Sequence, residues 1–366
     1  TFLYTPGETT KGFTHIRDGI EIKRIMTVVI IALIPCVIMG LYNTGLQTNL
    51  ALHNINKIPE NIRFDILKSL GVPFNSNSIL SNLLVGLSYF LPIYIMTLIV
   101  GGLWELIFSL VRKHEVTEGF FVTSLLYPLI LPPSIPLWQA AAALSAGIVL
   151  GKEVFGGTGK NIVNPALIAR AMLFFSYPSN MTGDTVWVGI DGITQGTPLG
   201  LFPLGEAVHI DKLNSFIGLT PGSIGETSTL ACLIGAFILI LSGIGSWRIM
   251  ISAVFGFLLT SSILYLIGSN TNPTFNITPL EHLLIGGFAF ATVYMATDPV
   301  SAANTQGGQY IYGFLIGFLT ILVRVLNPAF PEGAMLAVLF GNITAPIIDM
   351  AIIKYQIKRL DNYNGI

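Results

Sequence analysis

Asn164-Pro165-Ala166-Leu167-Ile168-Ala169-Arg170-Ala171-Met172-Leu173 returns in outline as Asn327-Pro328-Ala329 followed by Ala334-Met335-Leu336, 163 positions further along the chain. At the same separation Glu118 matches Glu281 and Pro136 matches Pro299. Five apolar segments lie between matched elements. An odd number of crossings makes the second copy run through a membrane in the opposite direction to the first, which is the inverted-repeat architecture. The expected fold is therefore an all-α polytopic membrane protein, with about ten transmembrane helices in two inverted five-helix repeats.

Composition agrees. Of the 366 residues 52% are hydrophobic and only 10% charged, with a mean hydropathy of +0.72, too few charges to cover a soluble surface. Apolar runs fall near 25–45, 83–110, 118–132, 135–150, 161–177, 227–243, 248–267, 281–297, 309–326 and 334–353. Two of them stop early, 118–132 before Pro132-Pro133-Ser134-Ile135-Pro136 and 281–297 before Asp298-Pro299. These are predicted to be broken half-helices that end within the membrane and mark a site near its midplane.

An even number of spans puts both termini on one side. That side would hold Lys11, Arg17, Lys23, Arg24, Arg112, Lys113, Lys152, Lys160, Arg248, Lys354, Lys358 and Arg359, against Lys57, Arg63, Lys68 and Lys212 on the other. The bias predicts cytoplasmic termini. The chain then divides into an N-terminal arm (1–24), a first repeat (25–177), a non-cytoplasmic loop (178–226), a second repeat (227–353) and a cytoplasmic tail (354–366). The opening Thr1-Phe2-Leu3-Tyr4 has no methionine and no signal-peptide pattern, so further residues are expected before it.

Several function classes drop out. A net charge of −1 without a basic cluster gives nucleic acid no footing. Cys36 and Cys232 both sit in apolar runs, where they read as packing residues and not as a disulfide framework or an iron–sulfur site; no resident metal is expected. The stretch Gly151 to Asn161 has a phosphate-loop look, but Gly159-Lys160 is followed by Asn161 in place of Ser or Thr, and no strand precedes it.

The remaining polar groups in apolar surroundings are the site candidates, since ionisable side chains inside a bilayer are costly. Asn161 and Asn164, three residues apart, would share a helix face and could bond a heterocycle; helix capping by Asn161 is the alternative. Glu105 follows Gly101-Gly102-Leu103-Trp104 on the second segment and could meet a polar ligand. Asp298 at the helix break and Asp349 near the end of the last span could handle a cation. Arg170 and Arg324 are the internal counter-charges that would make each acid half of a structural ion pair instead. Phe288, Phe290 and Tyr294 partly share a face and read as packing.

Between the repeats, Asp191-Gly192-Ile193-Thr194-Gln195-Gly196-Thr197-Pro198-Leu199 is a small polar stretch in a strongly apolar chain. It is an ordinary turn by composition. It also resembles the pattern at which a flavin transferase couples the phosphate of FMN to a threonine hydroxyl, with Thr197 as the acceptor and Asp191, Thr194 and Gly196 in support. Gln195-Gly196 stands where Gly-Ala is commoner.

The lead-in Phe2-Leu3-Tyr4-Thr5-Pro6-Gly7, then His15-Ile16-Arg17-Asp18 and Ile22-Lys23-Arg24-Ile25-Met26, resembles the B subunit of the bacterial Na⁺-translocating NADH:quinone oxidoreductases. Gly101-Gly102-Leu103-Trp104-Glu105, Gly159-Lys160-Asn161 with Asn164-Pro165-Ala166, the Thr197 stretch and Ala296-Thr297-Asp298-Pro299-Val300-Ser301-Ala302 follow in that family's order. The resemblance implies an inner-membrane subunit in which FMN is esterified to Thr197 and riboflavin is held noncovalently near Asn161 and Asn164. It implies ubiquinone near Gly101, Gly102 and Glu105, and Na⁺ moved past Asp298 and Asp349. No NADH-binding fingerprint is present, so partner subunits are implied, with a flavin transferase and membrane lipid. The D subunit of the Rnf complex is similar. A flavin-free inverted-repeat channel or transporter, and a purely structural anchor for redox partners, are the readings outside this class.

Overall fold

The computed structural model describes residues 22–55, 58–113, 119–181, 197–201, 210–269, 271–327 and 333–364. Fourteen α-helices occur there: α1 Ile22–Ile55, α2 Ile62–Ser69, α3 Ile79–Arg112, α4 Gly119–Leu129, α5 Leu137–Ile148, α6 Pro165–Ser176, α7 Pro198–Leu201, α8 Lys212–Ile217, α9 Thr229–Leu241, α10 Trp247–Ile267, α11 Pro279–Leu284, α12 Phe288–Phe290, α13 Gln306–Leu326 and α14 Ala334–Asn364. No strand occurs among the described residues. Two π turns, Val149–Glu153 and Ala291–Met295, continue α5 and α12.

Five helices are long and apolar enough to cross a membrane: Lys23–Ile55, Ile79–Arg112, Trp247–Ile267, Gln306–Leu326 and Ala334–Leu360. With 34 residues each, α1 and α3 span about 50 Å at 1.5 Å per residue and outrun the hydrocarbon core. Ile38, Ile99, Ile251, Leu266 and Ile347 project outward from these helices as a lipid-facing surface. The shorter apolar helices α4, α6 and α9 have 11 to 13 residues, too few to cross alone. The chain is a multi-pass membrane protein, all-helical over the described residues.

Each apolar run picked from the sequence contains a helix; the first early stop has a local cause, and the second run is broken within itself, at 285–287, ahead of the expected stop before Asp298-Pro299. Pro128 sits in the last turn of α4, and Pro132-Pro133 follows. On the other side, α11 opens with a capping box between Thr278 and Glu281, ends after six residues, and restarts beyond Gly286 at φ +76°. A helix ending in an apolar interior leaves carbonyls that need a partner. Arg170 donates to the Ile130 carbonyl just past α4, and Arg324 donates to the His282 carbonyl in α11. Both guanidiniums are buried, and both tie off a broken helix.

Close backbone approach fixes the helix crossings. At the α1–α3 crossing a Cβ on Gly86 would stand 1.8 Å from the Leu41 carbonyl oxygen, and one on Gly45 equally near that of Asn82. Small residues let the axes approach, and buried Asn49 then bonds Asn82 Oδ1 at 2.7 Å and Ser81 Oγ at 3.2 Å. Gly86→Ala is expected to destabilise the chain by about 3 kcal/mol, the upper end for overpacking, because the obstacle is backbone. Gly307→Ala, whose Cβ would meet Ile352 at 3.4 Å, should be near neutral. Thermal unfolding of the purified protein distinguishes them; equal shifts would contradict the crossing argument.

Candidate functional site

Two cavities collect the polar residues. The first, about 680 Å³ including its mouth, lies between the start of α1 (Ile25, Met26), α4 (Val122, Thr123), the segment before α6 (Asn161, Asn164) and the end of the π turn that continues α12 (Tyr294, Thr297, Asp298). Lys152 also lines it.

Asn161 and Asn164 come together here by a different route from the one their spacing suggests. Residues 161–164 are not helical. Pro165 occupies the first position of α6, and a residue before proline is pushed out of the α region, so Asn164 is extended (φ −68°, ψ 123°) and becomes the cap. Its Oδ1 accepts from Ala166 N at 3.0 Å, which leaves the amide Nδ2 available to the cavity. Asn161 does not cap; its Nδ2 donates to Val163 O at 3.2 Å. Both carboxamides are buried at the cavity wall.

The acids separate into three environments. Glu105 is 2% exposed and bonds Lys152, itself 4% exposed. Lys152 is therefore no surface charge of a cytoplasmic loop; it is the wall shared by the first cavity and the Gly101, Gly102, Glu105 set. Gly101 packs on Phe120, where a Cβ would fall 2.4 Å from the ring, while a Cβ on Gly102 would stand 3.9 Å from the same ring, an ordinary contact. Asp298 lines the cavity, and its carboxylate accepts from Val300 N (3.2 Å) and Ser301 Oγ (2.9 Å). Asp349 is not among the lining residues. It accepts from Asn304 N at 2.8 Å and Thr305 N at 3.0 Å, bracing the start of α13. The alternative reading, in which these acids pair with Arg170 and Arg324, gives way to other partners: Lys152 for Glu105, backbone and hydroxyl donors for the aspartates, and Glu226 for Arg170 at 2.6 Å.

The second cavity, about 450 Å³, adjoins Thr197. Asp191, Thr194 and Gly196 lie outside the described residues. Leu199 is buried against Ile210, Ile277 and Ile285, a small cluster that seats the segment on the second helix break, and Gly286 makes room where a Cβ would fall 2.4 Å from Leu199. Half-buried Thr197 accepts a bond on Oγ1 from Gly200 N at 3.2 Å, so its hydroxyl stands at the cavity edge. Thr220, Ser223, Glu226 and Gly287 also line this cavity. Sequence reasoning misses Ser223 and Glu226; a glutamate directly before the apolar run of α9 is the available signal.

Both cavities offer hydrogen-bonding groups that a heterocycle could use. The first offers two fixed carboxamides. The second offers a buried hydroxyl oxygen on Ser223, with no hydrogen-bond partner among the described residues, beside an accessible threonine.

The profile of the NQR2, RnfD, RnfE family matches residues 9–358 of this chain. Three similar proteins are each named as the B subunit of a Na(+)-translocating NADH-quinone reductase. That of Ectopseudomonas mendocina (strain ymp) is 50% identical over 98% of this chain and 91% of its own length. That of Klebsiella pneumoniae (strain 342) is 46% identical over the same shares. That of Chromohalobacter salexigens is 49% identical over 98% and 88%.

Proposed function

We propose, since the chain belongs to the NQR2, RnfD, RnfE family, that it is the membrane-embedded B subunit of a Na⁺-translocating NADH:quinone reductase in a bacterial inner membrane. The observation that carries the reading is the near full-length similarity to proteins of that name, joined to two polar-lined cavities at the residues its motifs mark. Ten spans in two inverted repeats, with cytoplasmic termini, are part of the proposal, and so are partner subunits that accept electrons from NADH and a transferase that loads the flavin.

In this reading Thr197 carries FMN by a phosphoester, and the first cavity holds riboflavin. Flavins, when bound, supply the one- and two-electron chemistry; the protein supplies position and electrostatics. Thr197 offers the ester oxygen at the cavity edge, and the Leu199 cluster fixes where it stands. Asn164, locked by its capping bond, presents its amide to the first cavity, and Asn161 adds a second carboxamide. Lys152 places a positive charge in that wall and links it to Glu105, where with Gly101 and Gly102 we place the quinone. Asp298 faces the first cavity and is the stronger cation candidate; Asp349 is committed to the start of α13, and its part in the cation path would run through that brace.

Inverted membrane vesicles provide the test. NADH oxidation with a quinone acceptor should load radiosodium, and deleting this chain should abolish both, with restoration on complementation. Full quinone reduction without the chain would refute the assignment. Restored reduction that moves no sodium would refute the pumping role.

A further inference from the structure

Ser223 is 2% exposed, lines the cavity beside Thr197, and its hydroxyl has no hydrogen-bond partner among the described residues. A buried hydroxyl left unsatisfied is costly, which points to a ligand atom as its partner. Glu226, 5% exposed, lines the same cavity and takes a hydrogen bond from Arg170 Nη1 at 2.6 Å on Oε1. Its carboxylate reaches the wall because residue 287 is glycine: a Cβ there would stand 2.8 Å from the carboxylate carbon. Arg170 also bonds the Ile130 carbonyl, so the pair is anchored to the end of α4.

The cavity lining thus offers a hydroxyl donor and a carboxylate acceptor. A phosphate would meet the negative Glu226, and a hydrocarbon would leave both groups unmatched. An imide edge, a carbonyl next to an N–H, satisfies both at once. The isoalloxazine ring carries such an edge.

We propose that Ser223 and Glu226 are positioning residues that recognise the imide edge of the ring attached at Thr197 and set its midpoint potential. This rests on the covalent-FMN reading. Glu226 places negative charge beside a ring that gains electron density on reduction and so lowers the potential. Ser223 donates to a carbonyl oxygen that becomes more negative on reduction and so raises it. The two substitutions therefore act with opposite sign: Glu226→Gln raises the potential and Ser223→Ala lowers it. Loosening of the pocket would instead carry both variants the same way, toward the potential of free flavin.

The experiment is a redox titration of the covalent flavin in the purified complex, parent against Ser223→Ala and Glu226→Gln, with in-gel flavin fluorescence run alongside. The expected result is a fluorescent band of equal strength in all three and opposite shifts. Each shift should correspond to about a tenfold change in the relative hold on reduced and oxidised ring, about 30 mV for a two-electron couple. An intact band with both potentials unmoved, or both moved the same way, overturns the proposal and leaves attachment at Thr197 standing. No band in the parent overturns both. Should Glu226→Gln fail to assemble, Ser223→Ala decides alone, since it deletes a single oxygen that holds no other group in place: a lowered potential supports the proposal, and an unmoved or raised one overturns it.

Discussion

Thr197→Ala is expected to abolish covalent flavin completely: on a denaturing gel under ultraviolet light the fluorescent band of the parent chain should vanish. The effect is all-or-none because a phosphoester needs the hydroxyl oxygen, and alanine has none. The structural side effect is small. Thr197 Oγ1 accepts one bond, from Gly200 N at 3.2 Å, and losing such a cap costs about 1 kcal/mol. The segment stays seated, because Leu199 and its contacts with Ile210, Ile277 and Ile285 are untouched. The variant should therefore assemble with its partners at parental levels while quinone reduction falls to background. A band that survives in Thr197→Ala would move the attachment elsewhere. A parent chain that never fluoresces, beside a transferase that modifies a known acceptor, would favour a flavin-free transporter built on the same repeat.

The helices are legible because apolar length and proline punctuation are local properties of a chain. Pro132-Pro133 and Asp298-Pro299 predict two interrupted segments, and helical structure ends before both, while the break at 285–287 inside the second segment is not announced. What the interruptions require is hidden. Arg170 lies 40 positions from the Ile130 carbonyl it satisfies, and Arg324 lies 42 from His282; no periodicity announces such a bond. For the same reason the acids can be recognised as costly but not matched to partners. Lys152 reads as one more positive charge in a polar loop, and only the approach of α3 to the π turn after α5 turns it into the partner of Glu105. Asn161 and Asn164 stand out for their chemistry, and the helical face expected for them fails because Pro165 starts α6 one residue later. Three-dimensional pairing, not residue type, is what the sequence withholds.

Lys152→Met should destabilise the assembled protein by about 3–5 kcal/mol, because it leaves a carboxylate in the interior with no countercharge. Glu105 is 2% exposed on α3 and Lys152 is 4% exposed beyond α5, so water screens neither, and the pair stands within hydrogen-bonding reach. Glu105→Gln should cost a similar amount by stranding the ammonium. The informative variant is the double one. Lys152→Met with Glu105→Gln removes both charges, and replacing a buried pair by neutral groups of similar volume is often close to neutral. The double variant should then recover most of the loss, giving a coupling energy of several kcal/mol when thermal unfolding of the purified complex is read as a double-mutant cycle. Single-variant losses below about 1 kcal/mol, or losses that simply add, would place the pair in a solvated, surface-like setting and contradict its burial. A double variant that folds like the parent yet reduces quinone poorly separates the two roles of Lys152. Its packing role ends with Glu105, whereas its charge in the wall of the first cavity serves whatever that cavity binds, and only the second of these is lost when stability has been restored.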